Sequence, residues 1–171
     1  SAMQHIEIVQ TPLFGRAMRI DGCFMTSEQD DFFYHEPMIH LPAITHGNVR
    51  QALVIGGGDG GAAHNLLRYP GMQRVVLAEL DRDVIDVARE WLPGVHHGAF
   101  DDPRLEIHIG DGRAFIEGSQ AQFDQIVLDL TDPFGPAVAL YTRDFYRSCQ
   151  RALKPGGVLS LHVQSPIHRS G

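Results

Sequence analysis

The sequence predicts an α/β fold with a doubly wound, mainly parallel sheet, preceded by a small N-terminal antiparallel β unit. From Gln51 onward, short apolar segments typical of strands alternate with segments of helical periodicity. A glycine-rich stretch, GGGDGG at Gly56–Gly61, follows the first of these strands. Residues 1–26 instead alternate apolar and polar positions around a turn, which is typical of antiparallel strands.

The first 48 residues are expected to form the β unit and a linking helix. The turn at residues 12–15, PLFG, separates two strands. A helix is predicted from Asp30 to about Ile44, with Asp30 as its N-cap. Pro37 and Pro42 interrupt the pattern, because proline lacks a backbone donor and crowds the preceding turn. We therefore predict a kinked or two-part helix.

Residues 49–171 are expected to form a second, ligand-binding unit. Its strands are predicted at residues 51–55, 75–80, 105–109, 126–130 and 158–163, and its helices at residues 62–68, 83–91 and 142–153. The last helix should end at Lys154-Pro155-Gly156-Gly157. Trp91 and Phe115 fall on helical faces and are expected in the core.

Composition excludes several classes of function. The formal net charge is -7 and the basic residues are scattered, which argues against nucleic acid as a partner. No run of about eighteen apolar residues indicates a membrane span, and we expect a cytoplasmic protein. Two distant cysteines and ten histidines without ligand spacing such as HExxH predict neither a disulfide framework nor a metal site.

Acidic residues follow the predicted strands at the ends where ligands bind in parallel sheets. The set is Asp59 after the first strand, Glu79 and Asp81 after the second, Asp111 after the third, and Asp129 and Asp132 after the fourth. Recurrence at four strands favours a shared binding site over four unrelated surface positions.

The glycine loop matches a dinucleotide-binding fingerprint, but Asp59 opposes that interpretation. The fingerprint lets a pyrophosphate approach backbone amides at a helix N-terminus. Two like charges about 4 Å apart repel by roughly 4 kcal/mol at an effective dielectric near 20. A nucleoside sulfonium with an amine tail therefore fits Asp59 better than NAD does.

Two of these acids have a binding interpretation and a structural one. Glu79 is placed to accept the two hydroxyls of a ribose, and Asp111 to accept a hydrogen bond from an exocyclic amine such as that of adenine. Either residue could instead cap the helix that follows it. The segment Asp129–Ala137, DLTDPFGPA, adds paired acids on a loop restricted by proline, which suits holding an amine and accepting its proton.

These segments closely resemble the spermidine synthases, the polyamine aminopropyltransferases. The motifs are GGGDGG, AELD at residues 78–81, FDDPR at residues 100–104, IGDG at residues 109–112 and DLTDPFGPA, with FYHE at residues 33–36 and IDG at residues 20–22. The resemblance implies a Rossmann-like fold of the methyltransferase type. It covers nearly the whole chain, although family members usually continue beyond the fifth strand, so residues 49–171 are expected to be incomplete at the C-terminus.

The resemblance also implies an activity and a set of site residues. The activity is transfer of the aminopropyl group of decarboxylated S-adenosylmethionine to putrescine, which gives spermidine and 5′-methylthioadenosine without a cofactor or metal. By position, Asp129 is the catalytic proton acceptor. The substrate-binding residues are Gln4, Glu79, Asp111 and Gly112 for the nucleoside, Asp59 for the aminopropyl end, Tyr34, His35 and Asp132 near the amines, and Pro136. A homodimer or homotetramer is expected.

Departures from the family pattern leave the amine acceptor open. Met25 and Gln29 replace a glutamine and an arginine that are usual in the family, and Pro37 and Asn65 are also unusual. Two other functions fit the same residues: N-methyl transfer to a diamine from S-adenosylmethionine, and a catalytically silent polyamine- or nucleoside-binding module. Asp59 separates the two donors, because it disfavours a tail that carries a carboxylate.

Overall fold

The computed structural model describes residues 1–131 and 135–162, without the side chains of residues 135–137. The chain begins with an antiparallel sheet of order β1-β2-β3, whose strands are β1 (Ile6–Thr11), β2 (Gly15–Ile20) and β3 (Cys23–Ser27). Asp21 and Gly22 join the last two strands with φ angles of 49° and 82°. Both angles suit a two-residue hairpin turn, for which Asp-Gly is a preferred sequence.

A single helix, α1 (Asp31–His46), links this sheet to the rest of the chain and runs through both prolines. The two-part alternative is therefore wrong, and the kinked alternative stays a prediction. Packing stabilises the continuous helix, because Ile39 and Ala43 lie in the core on one face of it. Asp30 does not cap the helix, since its side chain accepts a hydrogen bond from the Ser27 hydroxyl instead.

Five parallel strands form the main sheet in the order β6-β5-β4-β7-β8. They are β4 (Gln51–Gly56), β5 (Arg74–Glu79), β6 (Leu105–Ile109), β7 (Phe123–Asp129) and β8 (Leu153–Leu161). The chain adds β5 and β6 on one side of β4, and β7 and β8 on the other. The strand order thus reverses between β4 and β7, which is where such sheets bind ligands.

Helices cover both faces of this sheet. They are α2 (Gly61–Leu67), α3 (Arg82–Trp91), the short α4 (Pro93–His96), α5 (Gly112–Glu117) and α6 (Arg143–Ala152), with 3-10 turns at Ala99–Asp101 and Gly135–Tyr141. The buried strand β4 shows the two layers directly. Ala52 and Val54 lie in the core under α1 to α3, whereas Leu53 and Ile55 lie in the core under α5 and α6.

The structure confirms the expected fold class: a parallel sheet covered on both faces, with a small antiparallel sheet before it. The division into domains after residue 48 stays a prediction. Among the described residues, no helix combines the length and apolar character needed to cross a lipid bilayer.

Three local expectations differ from the structure. Helix α5 was given no bounds from the sequence, although Phe115 was expected on a helical face, because six residues are too few for a clear helical period. Strand β8 begins at Leu153, so residues 154–157 continue a strand across a register shift instead of ending α6 in a loop. Trp91 is 46% exposed at the end of α3 and is not a core residue.

Candidate functional site

The candidate site lies at the carboxyl ends of β4 and β7, where the strand order reverses. Gly56 and Asp129 are partners in the register of these two strands. The N–H of Gly57 donates to the carbonyl oxygen of Asp129 at 3.0 Å. The glycine loop therefore starts directly against the end of β7, and Asp59 follows within it.

The two carboxylate oxygens of Asp129 differ in their hydrogen bonds to the described residues. The Tyr34 hydroxyl donates to Oδ1 of Asp129 at 2.8 Å. Oδ2 is buried and accepts no hydrogen bond from the described residues. Burial, followed by the charge of Asp129 and this hydrogen bond, raises the pKa of Tyr34, so its phenol remains a donor. The arrangement leaves Oδ2 as an available acceptor.

His35 is the buried centre of the cluster, with only 1% of its surface exposed. Its Nε2 lies 3.7 Å from Oδ2 of Asp59 and 3.7 Å from Oδ2 of Asp129. Its Nδ1 lies 3.5 Å from Oδ2 of Asp31, one helical turn earlier. Burial alone would lower the pKa of His35, but the surrounding carboxylates raise it to about 11. The ring is therefore an imidazolium at neutral pH.

Two glycines of the loop make space for these side chains. A Cβ at Gly61 would lie 2.3 Å from Cε1 of the His35 ring. A Cβ at Gly57, whose φ is 68°, would lie 2.8 Å from Oδ2 of Asp129. A larger residue at either position would have to move a site residue. The site therefore requires glycine at both positions.

Asp59 reaches into the same space from the loop before α2. Its Oδ1 accepts the N–H of Gly61 at 3.0 Å, and its other oxygen faces His35. Burial raises the pKa of Asp59, and the positive charge of His35 opposes this effect. The ligand atoms of His35, Asp59 and Asp129 lie within 4.8 Å of one another, close enough to surround one positive charge. A metal ion there would have to displace the proton of His35.

Glu79, at the end of β5, forms the second part of the site. Its Oε1 accepts the N–H of Asp81 at 3.0 Å, and a Cβ at Gly58 would lie 2.9 Å from its Oε2. Burial raises the pKa of Glu79 to about 7, against backbone hydrogen bonds that lower it. The carboxylate therefore gains or loses its proton near neutral pH.

The other residues predicted to bind the nucleoside surround these strand ends. Gln4 donates through Nε2 to Oδ2 of Asp81 at 3.1 Å, which places the N-terminal segment beside the end of β5. Asp111 is exposed and caps α5 by accepting the N–H of Arg113 at 2.8 Å. Asp111 therefore caps α5 through one carboxylate oxygen, and its other oxygen can still accept a hydrogen bond from a ligand. Gly112 packs against Ile55.

Four of the predicted residues meet in one cluster: Tyr34, His35, Asp59 and Asp129. Gln4, Glu79, Asp111 and Gly112 lie along the neighbouring strand ends, and their hydrogen bonds within the described part of the chain are made outside that cluster. Asp132 lies outside the described residues, and the side chain of Pro136 is not described although its backbone belongs to the turn Gly135–Tyr141. The roles of all these residues stay predictions.

Sequence reasoning missed Asp31 as a member of the cluster. Its side chain faces His35 from the preceding turn of α1. The signal was present, because residues four apart share a helical face and Asp31 and His35 have that spacing. The prediction of Asp30 as the N-cap left Asp31 without an assigned role.

Comparison with known proteins agrees with this geometry. The family model described as "Spermine/spermidine synthase domain" matches residues 31–170. The chain is 82% identical to a polyamine aminopropyltransferase of Nitrosomonas europaea, over 99% of the chain and 52% of that protein.

Two solved structures share the fold. One is a spermidine synthase in complex with the transition-state analogue AdoDATO, with a TM-score of 0.89 and 41% identity over 92% of this chain and 54% of that one. The other is the spermidine synthase of Thermotoga maritima, with a TM-score of 0.88 and 38% identity over 97% of this chain and 55% of that one. The chain thus spans about half the length of the curated relatives it matches.

Proposed function

Because the chain belongs to the spermine/spermidine synthase family, we propose that it carries the nucleoside and amine sites of a polyamine aminopropyltransferase. The donor is decarboxylated S-adenosylmethionine and the acceptor is putrescine. The products are spermidine and 5′-methylthioadenosine.

One observation carries the proposal: at the reversal of strand order, Asp59 and Asp129 both face Nε2 of His35, each at 3.7 Å. With Asp31, three carboxylates surround the single imidazolium of His35, so the cluster keeps an excess of negative charge. Such a site attracts cations and excludes phosphates. Both proposed substrates are cations.

The proton balance of the reaction needs one free acceptor, and Asp129 supplies it. The amine nitrogen of putrescine attacks the carbon beside the sulfonium, the C–N bond forms, and the C–S bond breaks with its electron pair remaining on sulfur. A protonated amine has no lone pair, so the attacking nitrogen gives up one proton before the C–N bond forms, and the nitrogen of the product then carries the positive charge that the sulfonium loses. We assign that proton to Oδ2 of Asp129, the oxygen without a hydrogen-bond partner among the described residues.

Tyr34 fixes the orientation of the acceptor. Its hydroxyl holds Oδ1 of Asp129, so the carboxylate cannot rotate freely and Oδ2 keeps its direction. Holding the nucleophile and the carbon in line lowers the barrier further, because the encounter no longer has to fix their orientation. The sulfonium is already a good leaving group, so the proposed reaction needs neither a metal nor a cofactor.

The nucleoside is assigned to the neighbouring strand ends. Ionised Glu79 offers two acceptor oxygens for the hydroxyls of the ribose. Asp111 and Gly112 lie on the next strand end, where β6 leads into α5, within reach of the base of a nucleoside seated there. Asp59 meets the amine of the aminopropyl chain.

The charge at Asp59 favours this donor over S-adenosylmethionine itself. The two donors differ by one carboxylate on the tail, and Asp59 would face that carboxylate with a like charge. N-methyl transfer to a diamine is therefore the competing reaction to test. We further propose a homodimer or homotetramer in the cytoplasm, as expected from the family resemblance, to be checked by sedimentation of the purified protein.

The decisive experiment uses the full-length protein with decarboxylated S-adenosylmethionine and a panel of diamines. We expect 5′-methylthioadenosine and spermidine in equal amounts, greatest turnover with putrescine, and no loss of turnover after treatment with a chelator. Consumption of S-adenosylmethionine alone would favour methyl transfer. Binding of both substrates without turnover would favour a silent binding module.

A further inference from the structure

His35 is a buried cation, and its ring is too enclosed to contact a substrate directly. Only 1% of its surface is exposed, and the ring fits against the backbone at Gly61. Both ring nitrogens face carboxylates, Nε2 toward Asp59 and Asp129 and Nδ1 toward Asp31. Neither nitrogen has a conventional hydrogen-bond partner among the described residues. The contacts are ion pairs at 3.5–3.7 Å.

We propose that His35 is a positioning residue, a fixed imidazolium that offsets the burial and mutual repulsion of Asp59 and Asp129 and so favours the ionised form of both. This inference rests on the proposed function, in which Asp59 binds the donor's amine while Asp129 accepts a proton. Both tasks need an ionised carboxylate. His35 acts through these two residues and does not touch the reacting atoms.

The reason is the mutual repulsion of the two acids. When two carboxylates share a site, the pKa of one rises strongly because both cannot easily ionise together. Here the atoms that face His35 lie within 4.8 Å of one another. An imidazolium between them attracts each carboxylate and offsets the repulsion. Without that charge, one of the pair would hold a proton at a pH where the enzyme must work.

Other charged or titratable groups near His35 do not replace it. On α1 these are Asp31 and Tyr34, and the ring of His162 lies 5.5 Å from that of Tyr34. On α2 the nearby group is His64, whose pKa is lowered to about 4 by burial and by the charges of His97 and Arg68. His64 is therefore neutral at neutral pH. Among these described neighbours, His35 is the cation within ion-pair distance of both carboxylates.

The first test measures the charge of His35 without any substrate. The protein is labelled with ¹⁵N-histidine, and the ring nitrogens are followed by NMR as the pH is raised. We expect His35 to keep the imidazolium signature past pH 9, since its pKa is raised to about 11. Asp59→Asn should lower that transition. Titration of His35 near its ordinary value of 6.5 would overturn the proposal.

The second test compares pH profiles of kcat/KM for the wild type, His35→Gln and His40→Gln. His40 lies on the same helix and pairs with the Tyr69 hydroxyl, away from the carboxylates, so it controls for the substitution itself. In His35→Gln we expect the acidic limb to move up by about one to three pH units, with activity recovered at higher pH. His40→Gln should leave the limb in place. An equal loss at every pH would show a merely structural role.

The two failures can be told apart. If the wild-type protein transfers no aminopropyl group, the proposed function fails, whatever the state of His35. If the wild type is active and His35 titrates near its ordinary value, only the positioning role fails. Should His35→Gln not fold, the NMR titration of the wild type still decides the matter, with the His35 signal assigned through the Asp59→Asn shift.

Discussion

Replacing Asp129 by asparagine removes the proposed proton acceptor while changing almost nothing in size. The carbonyl oxygen of the new amide can still accept the Tyr34 hydrogen bond that Oδ1 accepts at 2.8 Å. The amide nitrogen then occupies the place of Oδ2, 3.7 Å from Nε2 of His35. It is a donor, so it cannot take a proton from the attacking amine.

The expected loss follows from that single change. General base catalysis contributes about 10²- to 10⁴-fold, which corresponds to roughly 3 to 5 kcal/mol of barrier. We therefore expect kcat of Asp129→Asn to fall by that factor. Binding of 5′-methylthioadenosine should stay within about twofold of the wild type, because the nucleoside is proposed to bind Glu79 and Asp111 at other strand ends.

The assay measures two quantities on the same protein sample. Turnover is followed by release of 5′-methylthioadenosine, and affinity by calorimetric titration with the same compound. The matched control is Asp124→Asn at the opposite end of β7. Asp124 accepts the N–H groups of Arg50 and Gln51 and pairs with Lys154.

The control is expected to lose stability and keep its chemistry. Burial alone would raise the pKa of Asp124, but hydrogen bonds from Lys154, Gln51 and Arg50 lower it. Ionised Asp124 therefore stabilises the fold at any pH above its pKa in the unfolded chain, which is near 3.8. This stabilisation is lost as the pH falls through the lower pKa that Asp124 has in the folded protein. Asp124→Asn should cost about 1–3 kcal/mol of unfolding free energy with kcat unchanged. Equal loss of turnover and nucleoside binding in Asp129→Asn would refute the assignment of Asp129 as a base.

Two further predictions follow from the loop and from Glu79. Gly61→Ala forces a Cβ to within 2.3 Å of the His35 ring, so it should cost about 1–3 kcal/mol in chemical denaturation and lower turnover, whereas Gly71→Ala meets no atom within 4 Å and should do neither. Burial raises the pKa of Glu79 to about 7, and its ionised form is the one proposed to accept the ribose hydroxyls. Affinity for 5′-methylthioadenosine, measured by calorimetry at several pH values, should therefore increase as the pH rises through 7 and should lose this dependence in Glu79→Gln. A flat profile in the wild type would contradict the assignment.

The sequence predicted the main sheet well because its signals are strong. Buried parallel strands are continuous apolar runs, and β4 and β5 stand out between glycine and charged segments. The same signal places Asp59 and Glu79 at strand ends without knowledge of the structure. Short elements gave no such signal, and α5 was missed even though Asp111 was recognised as a possible cap.

Distances between sequence-remote side chains could not be predicted from the residues alone. Tyr34 and Asp129 are 95 positions apart, and nothing in either segment indicates their hydrogen bond. The family resemblance placed His35 near the amines and gave no indication of its charge. That charge results from three surrounding acids, which outweigh the effect of burial and which the packed fold brings around the ring.

The carboxylate within the glycine loop now has a physical explanation. In a phosphate-binding loop, the glycines allow a ligand to approach the backbone, and the first N–H groups of the helix remain free for it. Here Asp59 accepts the N–H of Gly61 itself, so the chain already places a negative group at the start of α2. Gly57 and Gly61 make room for Asp129 and His35, not for a pyrophosphate. The loop shape shared with dinucleotide sites thus packs acids around the imidazolium of His35, and from the charge at residue 59 we expect the loop to accept a cation and not a phosphate.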